Sequence, residues 1–287
     1  VSSYPARFYK VIEYIEDNLP DELDIETLCQ LANLSRYHFH RQCSAFFGLP
    51  VMSLVKLLKL KRAAFQLAYR EHKIIDIALS NGYASHEGFS RAFRKHFGLN
   101  PAEFRKSPDW TLWQSQYDPL LKLRKKLMQD RSDFNVEIVD FPEIPVAVAE
   151  HRGDPGQLGK TIAKFIQWRK ENKLPPTKSR TFNLVYDDPQ TTPPQDYRFD
   201  LCCAITSPIT DNAHGIGNSV IPAGKCAVIR HIGSDDAISE VVNYLYTQWL
   251  SDSDYEIRDY PLFFERVSFF PEVQESEMIT DVYLPLR

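Results

Sequence analysis

Ile75-Asp-Ile-Ala-Leu79, then Asn81-Gly82-Tyr83, then Ser85-His-Glu-Gly-Phe-Ser-Arg-Ala-Phe-Arg-Lys-His-Phe97 and Gly98: this stretch decides the fold of the first third of the chain. The opening piece is short and apolar, and the Asn-Gly pair breaks it. Ser85 has the side chain of an N-cap for the run to Phe97, and Gly98 stops that run. A short helix, a tight turn and a longer helix with an exposed polar face make a helix-turn-helix.

Fifty residues earlier the same pattern is already written. Asp24 stands as an N-cap before Ile25-Glu-Thr-Leu-Cys-Gln-Leu-Ala32, the break falls at Asn33-Leu34, and Ser35 caps Arg36 to Phe47 before Gly48. Phe39, Cys43, Phe46 and Phe47 recur every three or four positions and form its buried stripe. Ser35, Phe39, Arg41, Phe47, Gly48 and Leu49 match Ser85, Phe89, Arg91, Phe97, Gly98 and Leu99 at a constant offset of 50. A copy at fixed spacing arises by chance far less readily than a single motif. Ahead of both, Phe8, Val11, Ile12, Ile15 and Leu19 predict a helix over 6–19 that Pro20 ends. Between the copies, Val51 to Ala68 reads as one long helix, with Lys56, Lys59, Lys61 and Arg62 studding the face its leucines leave free. Such a helix fixes the separation of the two units, so that one chain presents both second helices to successive major-groove segments about 34 Å apart.

Charge agrees with that reading. The chain of 287 residues carries a net −4, but residues 1–131 hold 20 Lys+Arg against 14 Asp+Glu, and residues 132–287 hold 14 against 24. A basic module that meets phosphate, joined to an acidic one that does not, is the simplest account. Cys29, Cys43, Cys202, Cys203 and Cys226 are odd in number and lie in apolar runs, as free buried thiols of a reducing compartment do. The histidines lack the i, i+4 pairing of a metal helix, so no metal and no cofactor is expected. No apolar run reaches the ~20 residues of a membrane span, and Val1-Ser-Ser-Tyr-Pro5 has no leader pattern. The expected location is the cytoplasm.

Helix geometry selects the contacts. With Phe39, Cys43 and Phe46 inward, the first recognition helix turns Arg36, Tyr37, His40, Arg41 and Ser44 outward; the second turns out His86, Glu87, Ser90, Arg91, Arg94 and Lys95. Arginine forks onto guanine through two parallel hydrogen bonds, which makes Arg41 and Arg91 the candidates for base reading. Lys56, Lys59, Arg94, Lys95 and Arg105 are the candidates for phosphate, which adds affinity without sequence preference.

The run from Ile77 through Asn81-Gly82-Tyr83 and Phe89-Ser-Arg-Ala-Phe93 to Pro101-Ala-Glu-Phe-Arg105 resembles the signature of the AraC/XylS family of bacterial transcription regulators. The likeness covers about residues 6–107, and Ile15-Glu-Asp-Asn-Leu19 with Ser35-Arg-Tyr-His-Phe-His-Arg41 places it nearest the branch of the right-origin-binding protein. It implies an all-α double helix-turn-helix domain over 1–107 and a base-reading arginine at the positions of Arg41 and Arg91. Double-stranded DNA is the implied partner, and RNA polymerase is a further candidate partner.

Residues 108–133 read as a connector containing the basic Arg124-Lys125-Lys126 run. Beyond it the pattern changes to short alternating strands, at 135–141, 145–151, 182–186 and 200–205, with a helix over 155–172. This unit too is repeated: Ala147-Val-Ala-Glu-His151 matches Ala227-Val-Ile-Arg-His231 at an offset of 80, while Trp168 matches Trp249 and Phe182 matches Phe263 at 81. A strand-helix-strand-strand unit written twice predicts one α+β domain over 134–287 with internal pseudo-symmetry. Alternation places Phe263 and Glu265 on one sheet face, a carboxylate among aromatics that favours a delocalised cation.

Tyr260-Pro-Leu-Phe-Phe-Glu265 and Thr280-Asp-Val-Tyr-Leu-Pro285 resemble the gyrase-inhibitor-like ligand-binding domain of bacterial multidrug-sensing regulators. That likeness implies a groove between the repeats for small aromatic or cationic effectors, with its acid at Glu265. Tyr186, Trp168, Tyr244, Tyr260, Phe263 and Tyr283 are its candidate walls. The chain departs from the family at Arg266-Val267, where an aromatic commonly follows the acid. Two other functions compete: an architectural or origin-binding protein without effector control, and an enzyme using Glu265 as a general base. No nucleophile, base and orienter share a spacing around Glu265, so no catalytic residue is assigned.

Overall fold

The computed structural model describes residues 4–21, 23–109, 117 and 134–287; nearly all of the expected connector, with its Arg124-Lys125-Lys126 run, lies outside them. The chain divides into two compact units, Val1–Arg131 with Phe270–Glu277, and Ser132–Phe269 with Met278–Arg287.

The first unit is helical: α1 (Tyr4–Asp17), α2 (Ile25–Ala32), α3 (Arg36–Phe47), α4 (Val51–Tyr69), α5 (Ile74–Ser80), α6 (His86–Phe97) and α7 (Pro101–Lys106). Three of its helix starts are capped by side chains. Asp24 accepts from the amides of Glu26 and Thr27, Ser85 from that of Gly88, and Asn100 with Glu103 closes a reciprocal capping box. Ser35 has the extended backbone of an N-cap, but its hydroxyl makes no capping bond. The second helix of each repeated motif, α3 and α6, stops at a left-handed glycine, Gly48 (φ 72°) and Gly98 (φ 75°). One continuous core joins Phe8, Ile15, Leu28, Phe39, Leu54, Phe89 and Phe93 around α4. The ring of Phe93 lies 4.5 Å from that of Phe97 and 5.3 Å from that of Phe104, locking α6 to α7.

Two details of α4 correct the expected basic face. Lys61 is buried, its side chain 6% exposed, with Nζ 3.0 Å from a Glu275 carboxylate oxygen that belongs to the same unit. Arg62 is half-buried and donates to the Ser80 carbonyl at 3.2 Å. The physical reason is enclosure: α4 is packed on most of its circumference, so a lysine at helical spacing from Leu54, Leu57, Leu58 and Ala64 goes inward with them.

The turn of the second helix-turn-helix depends on Gly82. Its φ is +73°, and a Cβ there would lie 2.7 Å from the Pro20 carbonyl oxygen and 2.5 Å from Lys59 Nζ. A lysine tip can move; a backbone carbonyl cannot without shifting the chain after α1. Gly82→Ala is therefore expected to cost about 1–3 kcal/mol, read as a fall in urea midpoint. An unchanged midpoint would show that the turn relaxes freely.

The second unit is an eight-stranded antiparallel sheet in the order β1-β6-β8-β7-β3-β4-β2-β5. The strands are β1 (Glu137–Phe141), β2 (Ile144–Arg152), β3 (Thr181–Val185), β4 (Arg198–Ala204), β5 (Gly217–Ile221), β6 (Gly224–Ile232), β7 (Leu262–Arg266) and β8 (Ile279–Pro285). Helices α8 (Leu158–Glu171) and α9 (Ile238–Tyr244, continued by a π turn to Trp249) each cross between strands of one repeat. The strand order is palindromic under exchange of the two repeats, so the duplication seen in sequence is a pseudo-two-fold axis between β3 and β7. The outer strands are exchanged: β1 pairs with β6 of the second repeat and β5 with β2 of the first. Alternation sorts the side chains. One face packs Ala147, Leu201 and Cys203 with Phe165 and Trp168 of α8, and Ala227, Phe264 and Val282 with Val241 and the turn after it. The other face, which bears no helix among the described residues, carries Phe141, Val148, Phe182, Cys202, Phe263 and Tyr283.

His151 and His231, matched across the repeats, are both buried and do the same work: each bonds through Nε2 the carbonyl three residues on, Asp154 at 3.1 Å and Ser234 at 2.9 Å. All five cysteines are free and buried; burial pushes the Cys43 thiol up to about 12 and Cys226 up to about 11, so neither is a thiolate near neutrality. Among the described residues no single helix is long and apolar enough to cross a membrane.

Candidate DNA-reading helices and effector site

On α3 the buried Phe39, Cys43 and Phe47 leave Arg36, Tyr37, His40, Arg41 and Ser44 exposed. Tyr37 is 69% exposed, an unusual position for a tyrosine that serves the fold. On α6 the buried Phe89, Phe93 and Phe97 leave His86, Glu87, Arg91, Arg94 and Lys95 exposed, whereas Ser90 is half-buried at the edge of that face. Glu87 sits in the first turn of α6, where its own amide and the Ser85 hydroxyl hold its carboxyl below the usual range. A carboxylate acceptor there is suited to an amino group on a base edge. Lys56 is exposed on α4, and Lys59 is half-buried. Arg105 is spent within the fold, donating to the His72 carbonyl at 2.6 Å.

In the second unit the structure gathers five of the seven candidate effector residues. Phe263, Tyr283, Tyr186 and Tyr260 share the helix-free face, and alternation along β7 puts Glu265 there with Phe263. The rings of Phe263 and Tyr283 stack at 4.9 Å, and Phe141 meets them edge-on at 5.0 and 5.1 Å. Burial pushes the phenols of Tyr186, Tyr260 and Tyr283 above the ordinary tyrosine value, so they act as neutral donors. Tyr186 donates to Asp200 at 2.8 Å, and the Tyr283 hydroxyl stands 3.4 Å from Glu265.

Trp168 and Tyr244 are not on that face. Trp168 belongs to α8 and packs beneath it, and Tyr244 ends α9 against Phe134. Aromatic character marked them as candidates, but they serve the helix-covered cores. Trp168 instead edges a separate cleft of about 420 Å³ with Glu171, Ile209 and His214. Arg266 explains the departure after the acid. It points to the other face, where Nε donates to Asn183 at 2.8 Å and the guanidinium reaches Asp235.

The residues that sequence reasoning missed are charged. Asp200 and Asp281 occupy matched places on β4 and β8 at an offset of 81, and both lie on the helix-free face by alternation. Arg152 pairs with Asp200, and Arg230 grips Asp281 through two bonds of 2.7 Å. Arg180, just before β3, grips Glu265 through bonds of 2.6 and 2.7 Å. The offset held the signal for the two aspartates; nothing in the sequence flagged Arg180.

A double helix-turn-helix in front of a duplicated sheet with an acid-and-aromatic face defines a DNA-binding transcription regulator with a small-molecule-binding domain. Comparison with known proteins agrees. Residues 134–287 match the GyrI-like small molecule binding domain, and residues 28–107 match a helix-turn-helix domain of the AraC type. The chain belongs to the GyrI-like family. It is similar to the probable transcriptional regulator YgiV of Escherichia coli (strain K12), 43% identical over 153 residues that cover 53% of this chain and 96% of that protein. It is also similar to the right origin-binding protein of the same strain, 29% identical over 133 residues, 46% of this chain and 45% of that one. The crystal structure of the EcmrR C-terminal domain aligns with a TM-score of 0.45 at 20% identity, covering 54% of this chain and 98% of that one.

Proposed function

We propose that α3 and α6 read a bipartite DNA site, with Arg41 and Arg91 on base edges. Arg36, Tyr37, His40, His86, Glu87 and Ser90 flank them, and Lys56, Arg94 and Lys95 neutralise phosphate. The observation that carries this is the repetition itself: two exposed helix faces with an arginine at the same step of each. Such a regulator works in the cytoplasm, where its DNA is. Gel shifts against promoter and random DNA at several salt concentrations test it. The specific site should bind about 10³–10⁷-fold more tightly, and a ratio below about tenfold would remove the sequence-specific reading.

The effector we assign to the second unit is a small aromatic cation held at Glu265 on the helix-free face. The Glu265 side chain is only 13% exposed, among Phe263, Phe182 and Tyr283, where a carboxylate needs a partner of opposite charge. A cationic dye such as crystal violet, at a hundred times its Kd, should stabilise the full chain by about 2.7 kcal/mol. Glu265→Gln should abolish that shift in a thermal-melt titration. Equal shifts in both proteins would place the dye elsewhere.

A further inference from the structure

The cation site just assigned already holds a cation, and it comes from the chain itself. Arg180 meets Glu265 in the planar fork that an external guanidinium or amidinium would use, with Nε on one carboxylate oxygen at 2.6 Å and Nη2 on the other at 2.7 Å. Its guanidinium carbon lies 5.0 Å from the ring centre of Phe182 and 5.7 Å from that of Phe141, within the range of cation–π attraction.

The two partners are unequally committed. The Glu265 side chain is 13% exposed and fixed on a strand in mid-sheet, whereas Arg180 is 45% exposed and stands just outside β3. A half-exposed arginine that leaves regains its hydration; a buried carboxylate that is left does not. The neighbourhood sharpens the demand. Directly across the β7–β8 ladder from Glu265 stands Asp281, and like charges in opposed positions repel. Arg230 serves Asp281, so Glu265 has to be served by a charge of its own, with or without ligand.

We infer that Arg180 is a tethered occupant of the effector site, and that binding is an exchange of its guanidinium for another planar cation. This rests on the cation reading of Glu265 and narrows it. A neutral aromatic cannot make the exchange, because it would strand the carboxylate. A compact ammonium brings charge without the in-plane pair of donors. The class that reproduces everything Arg180 supplies is an amidinium or guanidinium carried on an aromatic body. Arg180 thereby sets both the affinity and the selectivity of the site.

The test is calorimetric titration of the full chain, wild type and Arg180→Ala, with benzamidine, benzylamine and neutral benzamide. Arg180→Ala should bind benzamidine at least tenfold more tightly than wild type. Arg180→Lys, which keeps the charge and loses the fork, should fall between them and guards against a folding artefact. Benzylamine should gain less than benzamidine, benzamide should not bind, and adding Glu265→Gln to Arg180→Ala should erase the gain. If wild type binds benzamidine and folded Arg180→Ala binds it no more tightly, Arg180 is not a competitor, though the cation reading stands. If benzamide gains as much as benzamidine, vacated space rather than charge is being filled, and the exchange is overturned. If neither protein binds any cation, the cation reading falls and takes the exchange with it.

Discussion

Lys61→Met should cost the protein on the order of 3–5 kcal/mol, as the removal of one member of a buried ion pair does. The side chains of Lys61 and Glu275 are 6% and 7% exposed, with 3.0 Å between nitrogen and oxygen. Methionine keeps most of the stem that packs inside the helical unit, so the loss reports charge rather than volume. The Glu275 carboxylate would be left close to Tyr117, a phenol 1% exposed that burial keeps protonated. Removing both charges, as Lys61→Met with Glu275→Leu, should recover much of the loss, because apolar residues in place of a whole buried pair are often neutral. A double-mutant cycle in urea isolates the coupling. The control is nearby: Arg70 pairs with Glu272, whose side chain is 51% exposed, and Glu272→Gln should cost less than about 1 kcal/mol. A loss below about 1 kcal/mol for Lys61→Met would mean that water reaches the pair.

On DNA, Arg91→Ala and Arg41→Ala should each relax the preference at one base by about 1–3 kcal/mol, roughly five- to 150-fold, as removal of a bidentate guanine contact does. Each arginine is exposed on the face opposite its helix's phenylalanines, so neither change should disturb the core. Lys56→Ala should act differently. It should weaken every sequence alike and reduce the slope of log K against log salt by about 0.9, the signature of one lost phosphate contact. Shift assays over a set of singly substituted sites at three salt concentrations separate the two behaviours. If Arg91→Ala and Lys56→Ala give the same pattern, the division into base and phosphate contacts is wrong.

The helices were legible because their signals are local. Ile25–Ala32, Arg36–Phe47 and His86–Phe97 stand as the caps and breaks imply, the helices expected over 6–19, 51–68 and 75–79 deviate by a residue or two, and the one expected over 155–172 begins three residues later, at Leu158. Lys61 was misread because what buries it is not local: Glu275 is 214 positions away in sequence, and no helical periodicity announces a distant segment. In the sheet, strict alternation put Phe263 and Glu265 together correctly. Aromatic composition did not say which face a helix would cover, and so Trp168 and Tyr244 entered a candidate set they do not belong to. The exchange of β1 and β5 between repeats left no mark in either strand, since both pair through backbone groups that any sequence offers. Arg180 was invisible for a simpler reason: its role appears only when its guanidinium is seen on Glu265 and over Phe182.

The eight residues from Phe270 to Glu277 set a rule for anyone cutting or recombining this gene. They follow β7 in the chain, yet they belong with the helices: Phe270 packs edge-on against Phe65 at 5.0 Å, Ser276 bonds Asp17 at 2.6 Å, and Glu275 meets Lys61. A fragment ending in the connector would therefore encode the helices of the first unit without a strip of their own interior. A chimera joined at that point would carry a strip fitted to some other protein's helices. The natural cassette boundary of the helical unit is discontinuous, and grafting it onto a new sensor means carrying the β7–β8 segment along.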